Sequence, residues 1–184
     1  MAASEVPATP DWRDQVIYFA MIDRFDNGDA DNDDQGAGEF DPTDGRRFSG
    51  GDLAGLHNRL DYIAGLGATA LWITPPVANQ WWNPRANYGG YHGYWAEDFT
   101  KVDAHFGDMA SYKRLADGLH AKGMLLVQDI VLNHTGDFFS CTAVDHCVRH
   151  DDRVLAPAPL QANDPQNPAD KARAVYHWTP DISD

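Results

Sequence analysis

Asp129, Asn133 and His134 crowd the polar end of the stretch Met124-Leu-Leu-Val-Gln-Asp-Ile-Val-Leu-Asn-His-Thr-Gly136. A carboxylate in an apolar run, with an amide and an imidazole just past it, marks a candidate functional site. The run follows Gly123, which closes a helical pattern, and its unbroken apolar character predicts a strand covered on both faces. Asp129 is then expected inside that strand. Burying a carboxylate alone costs several kcal/mol, so it must be paired or hydrogen-bonded there. Anchoring a neighbouring turn is the plain alternative for Asp129. Asn133 and His134 fall at the strand's C-terminal end, where parallel α/β sheets place their ligand sites.

A second cluster has different chemistry. Asp26-Asn-Gly-Asp-Ala-Asp-Asn-Asp-Asp34 holds five Asp in nine residues and no basic residue. Such a run is either a solvated loop or a calcium site, since calcium takes six to eight oxygens from carboxylates, amides and carbonyls. An EF-hand is excluded, because neither Asp29 nor Asp31 as first position puts an acidic residue at the twelfth. An irregular site completed by Gly50-Gly51-Asp52 remains. Cys141 and Cys147 enclose five residues. Paired, they stabilise by roughly 2 kcal/mol and indicate an oxidising compartment; two free thiols are the other reading. His146 and His150 flank them, but no zinc-ligand spacing is present.

These groups need a frame. Gln15 to Ile22 is rich in β-formers and reads as a buried strand. Leu53, Leu56, Leu60 and Ile63 lie on one helical face, capped by Asp52 and stopped by Gly65 and Gly67. Ala68 to Thr74 is a second strand, broken by Pro75-Pro76. An aromatic loop with Trp81, Trp82, Tyr88, Tyr91, His92, Tyr94 and Trp95 follows. Asp108 caps a second helix, with Met109, Tyr112, Leu115, Ala116 and Leu119 on its inner face. The order β-α-β-α-β has crossovers long enough to demand parallel neighbours, an α/β fold. After Thr135 the pattern becomes polar and proline-punctuated. The expected divisions are a flexible lead-in over 1–10, three β/α units over 11–135 and a separate loop-rich region over 136–184.

Charge and hydropathy narrow the partners. Fourteen Lys and Arg against 28 Asp and Glu give a net charge of −14. That repels nucleic acid and anionic membranes and favours a neutral substrate or a cation. The longest clean apolar run, Val16 to Ile22, is far too short to cross a bilayer, and the start lacks the charged and apolar regions of a signal peptide. Six Trp and 11% aromatic residues offer faces that suit sugar rings, or fill a core.

Three motifs together resemble the N-terminal part of the α-amylase family, glycoside hydrolase family 13. They are Val16-Ile-Tyr18 with Asp23-Arg24-Phe25 and the acidic loop, Gly90-Tyr-His-Gly-Tyr-Trp95, and Asp129-Ile-Val-Leu-Asn-His134. Within the family, the early loop is most similar to the cyclodextrin glucanotransferase, cyclomaltodextrinase and neopullulanase branch. The resemblance implies the first three strands and two helices of a (β/α)8 TIM barrel, an incomplete barrel followed by the start of the inserted domain B. It implies activity on α-1,4-glucosidic bonds of starch, maltooligosaccharides or cyclodextrins. It also implies that His92, Tyr94, Asp129 and His134 contact or orient the substrate. Asn27, Asp29, Asn32, Asp33, the Gly50 carbonyl and Asp52 match one calcium site, and Asn133 matches a ligand of another. The expected compartment is secreted or periplasmic.

Retaining enzymes of this family use a nucleophilic carboxylate and an acid about 5 Å apart, the nucleophile in an Arg-x-Asp pattern at the fourth strand. This reading puts Arg24 and Asp26 on or before the first strand and Asp129 too deep to attack. The 184 residues alone are therefore expected to be inactive, part of a hydrolase or a transglycosylase. A short calcium- and carbohydrate-binding protein without catalysis is the competing reading. An open α/β fold with a different enzymatic role is disfavoured by the lack of a Gly-rich phosphate loop, since Gly65-Leu-Gly67 precedes a strand rather than a helix.

Overall fold

A computed structural model describes residues 10–143, 146–149, 160 and 162–176. Strands β1 (Ile17–Ala20), β2 (Ala70–Ile73) and β7 (Leu125–Gln128) form a parallel sheet in the order β1-β2-β7. Register is continuous across it, with Tyr18 beside Leu71 and Leu71 beside Leu126. Between the first two strands run α1 (Leu53–Asn58) and α2 (Leu60–Gly65), and α3 (Met109–Ala121) precedes the third. The β-α-β-α-β order is thus present, as a three-stranded sheet that does not close on itself.

Side-chain alternation decides which face is covered. Ala20, Leu71 and Ile73 point at the helices and meet Leu53, Leu56, Leu60, Ile63, Leu115 and Leu119, all in one buried cluster. The opposite face carries Ile17, Phe19 and Trp72, which stay exposed, with Phe19 and Trp72 edge to face at 5.2 Å. The expectation of strands buried on both faces is therefore corrected. Helices cover one face; on the other Ala70 is buried, while Ile17, Phe19 and Trp72 around it are left open. Strand β7 is likewise only half-buried.

The first helical stripe is intact, but its helix breaks at Arg59. The Arg59 N–H is shared between the Gly55 and Leu56 carbonyls, and its guanidinium reaches away to Asp26. Asp52 caps α1 by accepting from Gly55 N at 2.6 Å. Asp108 and Ser111 form a capping box on α3, while Met109, expected inward, is exposed.

The aromatic loop holds more structure than its composition reveals. Strand β3 (Val77–Asn79) pairs antiparallel with β6 (Ala96–Val102), and β4 (Trp82–Asn83) with β5 (Tyr88–Gly89). Beyond β7 a hairpin of β8 (Phe139–Cys141) and β9 (Cys147–Arg149) precedes a short α4 (Pro168–Ala172). Cys141 and Cys147 are disulfide-bonded across that hairpin, which answers the pairing left open by the sequence. No described helix is long and apolar enough to cross a membrane. His150, the lead-in over 1–9 and residues 177–184 lie outside the described residues.

Candidate functional site

The sheet's C-terminal edge gathers the sequence-distant candidates around Tyr94. Gly93 makes the approach possible: its φ is +84°, and a Cβ there would sit 2.3 Å from the Pro75 carbonyl. This bend places the rings of His92 and Tyr94 side by side, 5.8 Å apart and nearly parallel. The Tyr94 hydroxyl donates to Asp129 Oδ2 at 2.9 Å, and the Tyr94 carbonyl lies 3.0 Å from His134 Nε2. All four predicted substrate residues therefore belong to one constellation with Tyr94 at its hub.

Asp129 corrects an expectation. It stands just past β7, not inside it, and is half-buried. Its N–H extends the ladder to the Ile73 carbonyl, and its carboxylate turns to the Tyr94 hydroxyl rather than into a closed core. It is thus neither too deep nor unpartnered, because the neighbouring uncovered face leaves the strand end open.

Protonation follows from these contacts. Burial, with His134 nearby, pushes His92 down to about 4, so at neutral pH it is uncharged. Its Nδ1 accepts from Tyr94 N at 3.0 Å, which leaves the proton on Nε2 as a donor. Burial raises Tyr94, and the Asp129 hydrogen bond raises it further, to about 12; it stays a phenol. His134 Nε2 meets a carbonyl, an acceptor only, and therefore carries the proton. Its Nδ1 then accepts from Asn133 Nδ2 at 2.9 Å. Asn133 and His134 are exposed and line a cleft of about 900 Å³ with Phe99, Phe139 and Tyr176.

The acidic loop draws its predicted donors together as well. Asp52 Oδ2 accepts from Asp29 N at 2.8 Å and from Asn32 Nδ2 at 3.3 Å. Asn27 Nδ2 donates to Asp33 Oδ1 at 2.7 Å. Gly50, at φ +90°, closes the ring: a Cβ there would lie 2.6 Å from both Asn27 Nδ2 and Asp33 Oδ1. Two observations fit a cation. Asn32 Oδ1 is buried without a partner, and Asp33 is pushed up by burial and by the neighbouring charges of Asp52 and Asp29. Against these, both Asp52 oxygens already accept N–H groups. No described trio of His, Cys, Asp or Glu gathers as a metal-binding group. The fit rests on amide and carbonyl oxygens as much as on carboxylates. The loop also has a basic neighbour that its own sequence lacks, since Arg59 grips Asp26 through two bonds of 2.9 and 3.0 Å.

That pairing bears on a second correction. Arg24-Phe25-Asp26 is an Arg-x-Asp pattern lying after β1, not on or before it. Asp26 is nevertheless committed to Arg59, outside the Tyr94 constellation. A further such pattern, Arg149-His150-Asp151, begins at the last residue of β9, and its His and Asp lie outside the described residues.

Sequence reasoning missed three supporting groups. Arg24 stacks its guanidinium 3.7 Å from the Tyr91 ring centre and donates to the Gly45 and Arg47 carbonyls, pinning the acidic loop's return arm beside His92. Asp23 is buried under Ser49 and Gly50 N–H groups, and burial raises it to about 6. His105 is buried between Asp103 and Glu39. An Asp-x-His spacing was the available signal for the last, but nothing in the sequence joins it to Glu39.

Residues 19–180 match the family described as alpha amylase, catalytic domain. Among curated relatives, the chain is 44% identical over 128 residues to the beta/alpha-amylase of Paenibacillus polymyxa, covering 70% of this chain and 10% of that protein. It is 41% identical to the cyclomaltodextrin glucanotransferase of Klebsiella oxytoca (68% and 20% covered). It is 39% identical to the periplasmic alpha-amylase of Escherichia coli (73% and 21%). Solved structures agree. The three-domain cyclomaltodextrin glucanotransferase CldA superposes with a TM-score of 0.63 at 42% identity, covering 66% of this chain and 26% of that one. The alpha-amylase of Geobacillus thermoleovorans complexed with acarbose gives 0.59 at 41%, covering 70% and 25%. The chain thus spans between a tenth and about a quarter of the relatives named here.

Proposed function

The chain belongs to the α-amylase catalytic-domain family, and on that premise we propose that it supplies the first three β/α units of a (β/α)8 barrel that cleaves or transfers α-1,4-glucosidic bonds with retention. Domain B would begin near residue 136. The observation that carries this reading is the Tyr94 hub, which brings His92, Asp129 and His134 to one strand-end rim. Substrate would be an α-glucan such as starch, a maltooligosaccharide or a cyclodextrin. The substrate classes in the names of the relatives, and the acarbose complex of the Geobacillus thermoleovorans enzyme, support that class.

In this reading Tyr94 presents a ring face to a glucose unit, and neutral His92 offers Nε2–H to one of its hydroxyls. Asp129 holds the Tyr94 hydroxyl in place. His134 fixes the Tyr94 carbonyl, so its contact with sugar requires the ring to exchange that bond for a hydroxyl. Asn27, Asp29, Asn32, Asp33, Asp52 and the Gly50 carbonyl would hold calcium, which supplies positive charge to offset the crowded carboxylates. Asn133, whose Nδ2 is spent on His134, would offer Oδ1 to a second cation. A secreted or periplasmic site of action accords with the disulfide.

The test is calorimetric titration of maltoheptaose into the protein carrying the whole barrel and into its His92→Ala and Tyr94→Phe variants. The expected result is measurable binding by the wild type, weakened at least fivefold in each variant with an unchanged melting temperature. Equal binding by all three would remove the site.

A further inference from the structure

Outside the sugar and cation candidates, one buried charged group joins the two. His105 lies between Glu39 Oε1, 2.9 Å from its Nε2, and Asp103 Oδ1, 2.9 Å from its Nδ1. All three side chains are almost wholly buried, and Phe48 stacks on the imidazole at 3.8 Å with Trp81 edge-on. Two acceptors facing both ring nitrogens require both to donate, so the ring is an imidazolium. At one end, Glu39 accepts from Gln35 N at 2.6 Å and Ala37 N at 2.8 Å, and Gln35 Nε2 holds the Asn32 carbonyl. At the other end, Asp103 Oδ2 accepts from Asn79 N at 2.7 Å. Asn79 Oδ1 in turn accepts from Trp95 N at 2.8 Å, one residue from Tyr94.

We propose that His105 is a positioning residue, a cationic clamp that ties the acidic loop to the 94–95 segment, so that both lose order together when it is removed. This rests on Tyr94 being a sugar contact only for its functional consequence; the clamp itself stands on the bonds above. The physical argument is charge. Without the imidazolium, two buried carboxylates face each other uncompensated, and at least one must move toward water or take up a proton. Movement at Glu39 frees Gln35 and Ala37. Movement at Asp103 frees Asn79 and, through it, Trp95.

Amide hydrogen exchange on the whole-barrel protein and its His105→Phe variant tests this, since Phe keeps the ring stack and removes both hydrogen bonds. The expected result is a loss of protection of tenfold or more at Gln35, Ala37, Asn79 and Trp95 together, with Leu115 and Leu119 in α3 unchanged. Loss confined to Gln35 and Ala37, or spread equally into α3, overturns the clamp. Should His105→Phe not fold, Glu39→Gln decides: lowered protection at Asn79 and Trp95 is expected, and unchanged values there overturn the proposal. Maltoheptaose titration runs alongside, with weaker binding expected in the variant. A wild type that takes up no maltoheptaose strikes the subsite reading, while the exchange pattern still judges the clamp.

Discussion

Tyr94 has three neighbours whose loss can be measured separately. Removing its hydroxyl in Tyr94→Phe leaves the Asp129 carboxylate without the donor 2.9 Å away. Freed from that bond the ring is less well placed against a sugar, so in the whole-barrel protein kcat/KM on maltooligosaccharides is expected to fall about tenfold. In the whole-barrel protein His134→Ala should lower kcat/KM without unfolding, because the ring is exposed and its bond to the Tyr94 carbonyl lies at the surface. If both variants instead lose stability in step with activity, these side chains are structural donors. The identities of the four residues were legible in two short motifs, Gly90 to Trp95 and Asp129 to His134. Their bonds were not. Which atom of Tyr94 meets which partner depends on the Gly93 bend and on Asp129 standing past the strand, neither of which a linear pattern displays.

At the scale of elements, the acidic loop is fastened at separable points. Asp52 joins it to the start of α1, Arg24 clasps its return arm, and Glu39 joins it to His105. In the whole-barrel protein chelation is expected to lower the melting temperature, and Asp29→Ala to abolish that sensitivity. A melting temperature indifferent to chelator would leave the loop a hydrogen-bonded charge run. The Glu39–His105 contact predicts a pH window. Burial alone would lower His105, but its bonds to Asp103 and Glu39 outweigh that and raise it from 6.5 to about 9. Its stabilisation is therefore complete below 6.5 and lost as pH rises through about 9. Burial alone would raise Glu39, but the His105 bond and the backbone donors outweigh that and lower it from 4.5 to about 2. That contribution is present above 4.5 and lost as pH falls through about 2. The pair should thus be strongest between pH 4.5 and 6.5, and His105→Phe should flatten the fall in melting temperature on the alkaline side. Caps and apolar stripes were readable here, since Asp52, Asp108 and Leu53 to Ile63 act locally. The break at Arg59 was not, because no glycine or proline marks it, and its guanidinium's partner, Asp26, lies thirty-three residues away.

For the molecule as a whole, the uncovered face of the sheet governs what these residues do alone. Ile17, Phe19 and Trp72 are exposed, and β1 and β7 form the sheet's edges. Exposed apolar faces and open edges favour association, so the 184 residues alone are expected to sediment as aggregates or partly unfolded species. They are also expected to show no α-glucanase turnover. Retaining hydrolysis needs a carboxylate on one side of the sugar and a proton donor on the other. The carboxylate in the Tyr94 constellation is Asp129, held by a hydroxyl; Asp26 is bound by Arg59, and Tyr94, raised to about 12, is a poor proton donor. Contacts to sugar accelerate a reaction only where they strengthen in its transition state, and among the described residues no free carboxylate stands beside them as a nucleophile. Soluble starch and a chromogenic maltooligosaccharide, incubated with the purified 184 residues, provide the measurement, with blank-level release expected. Release above blank that vanishes in Asp129→Asn would assign the nucleophile to Asp129 and overturn the division of roles drawn from the Tyr94 hub.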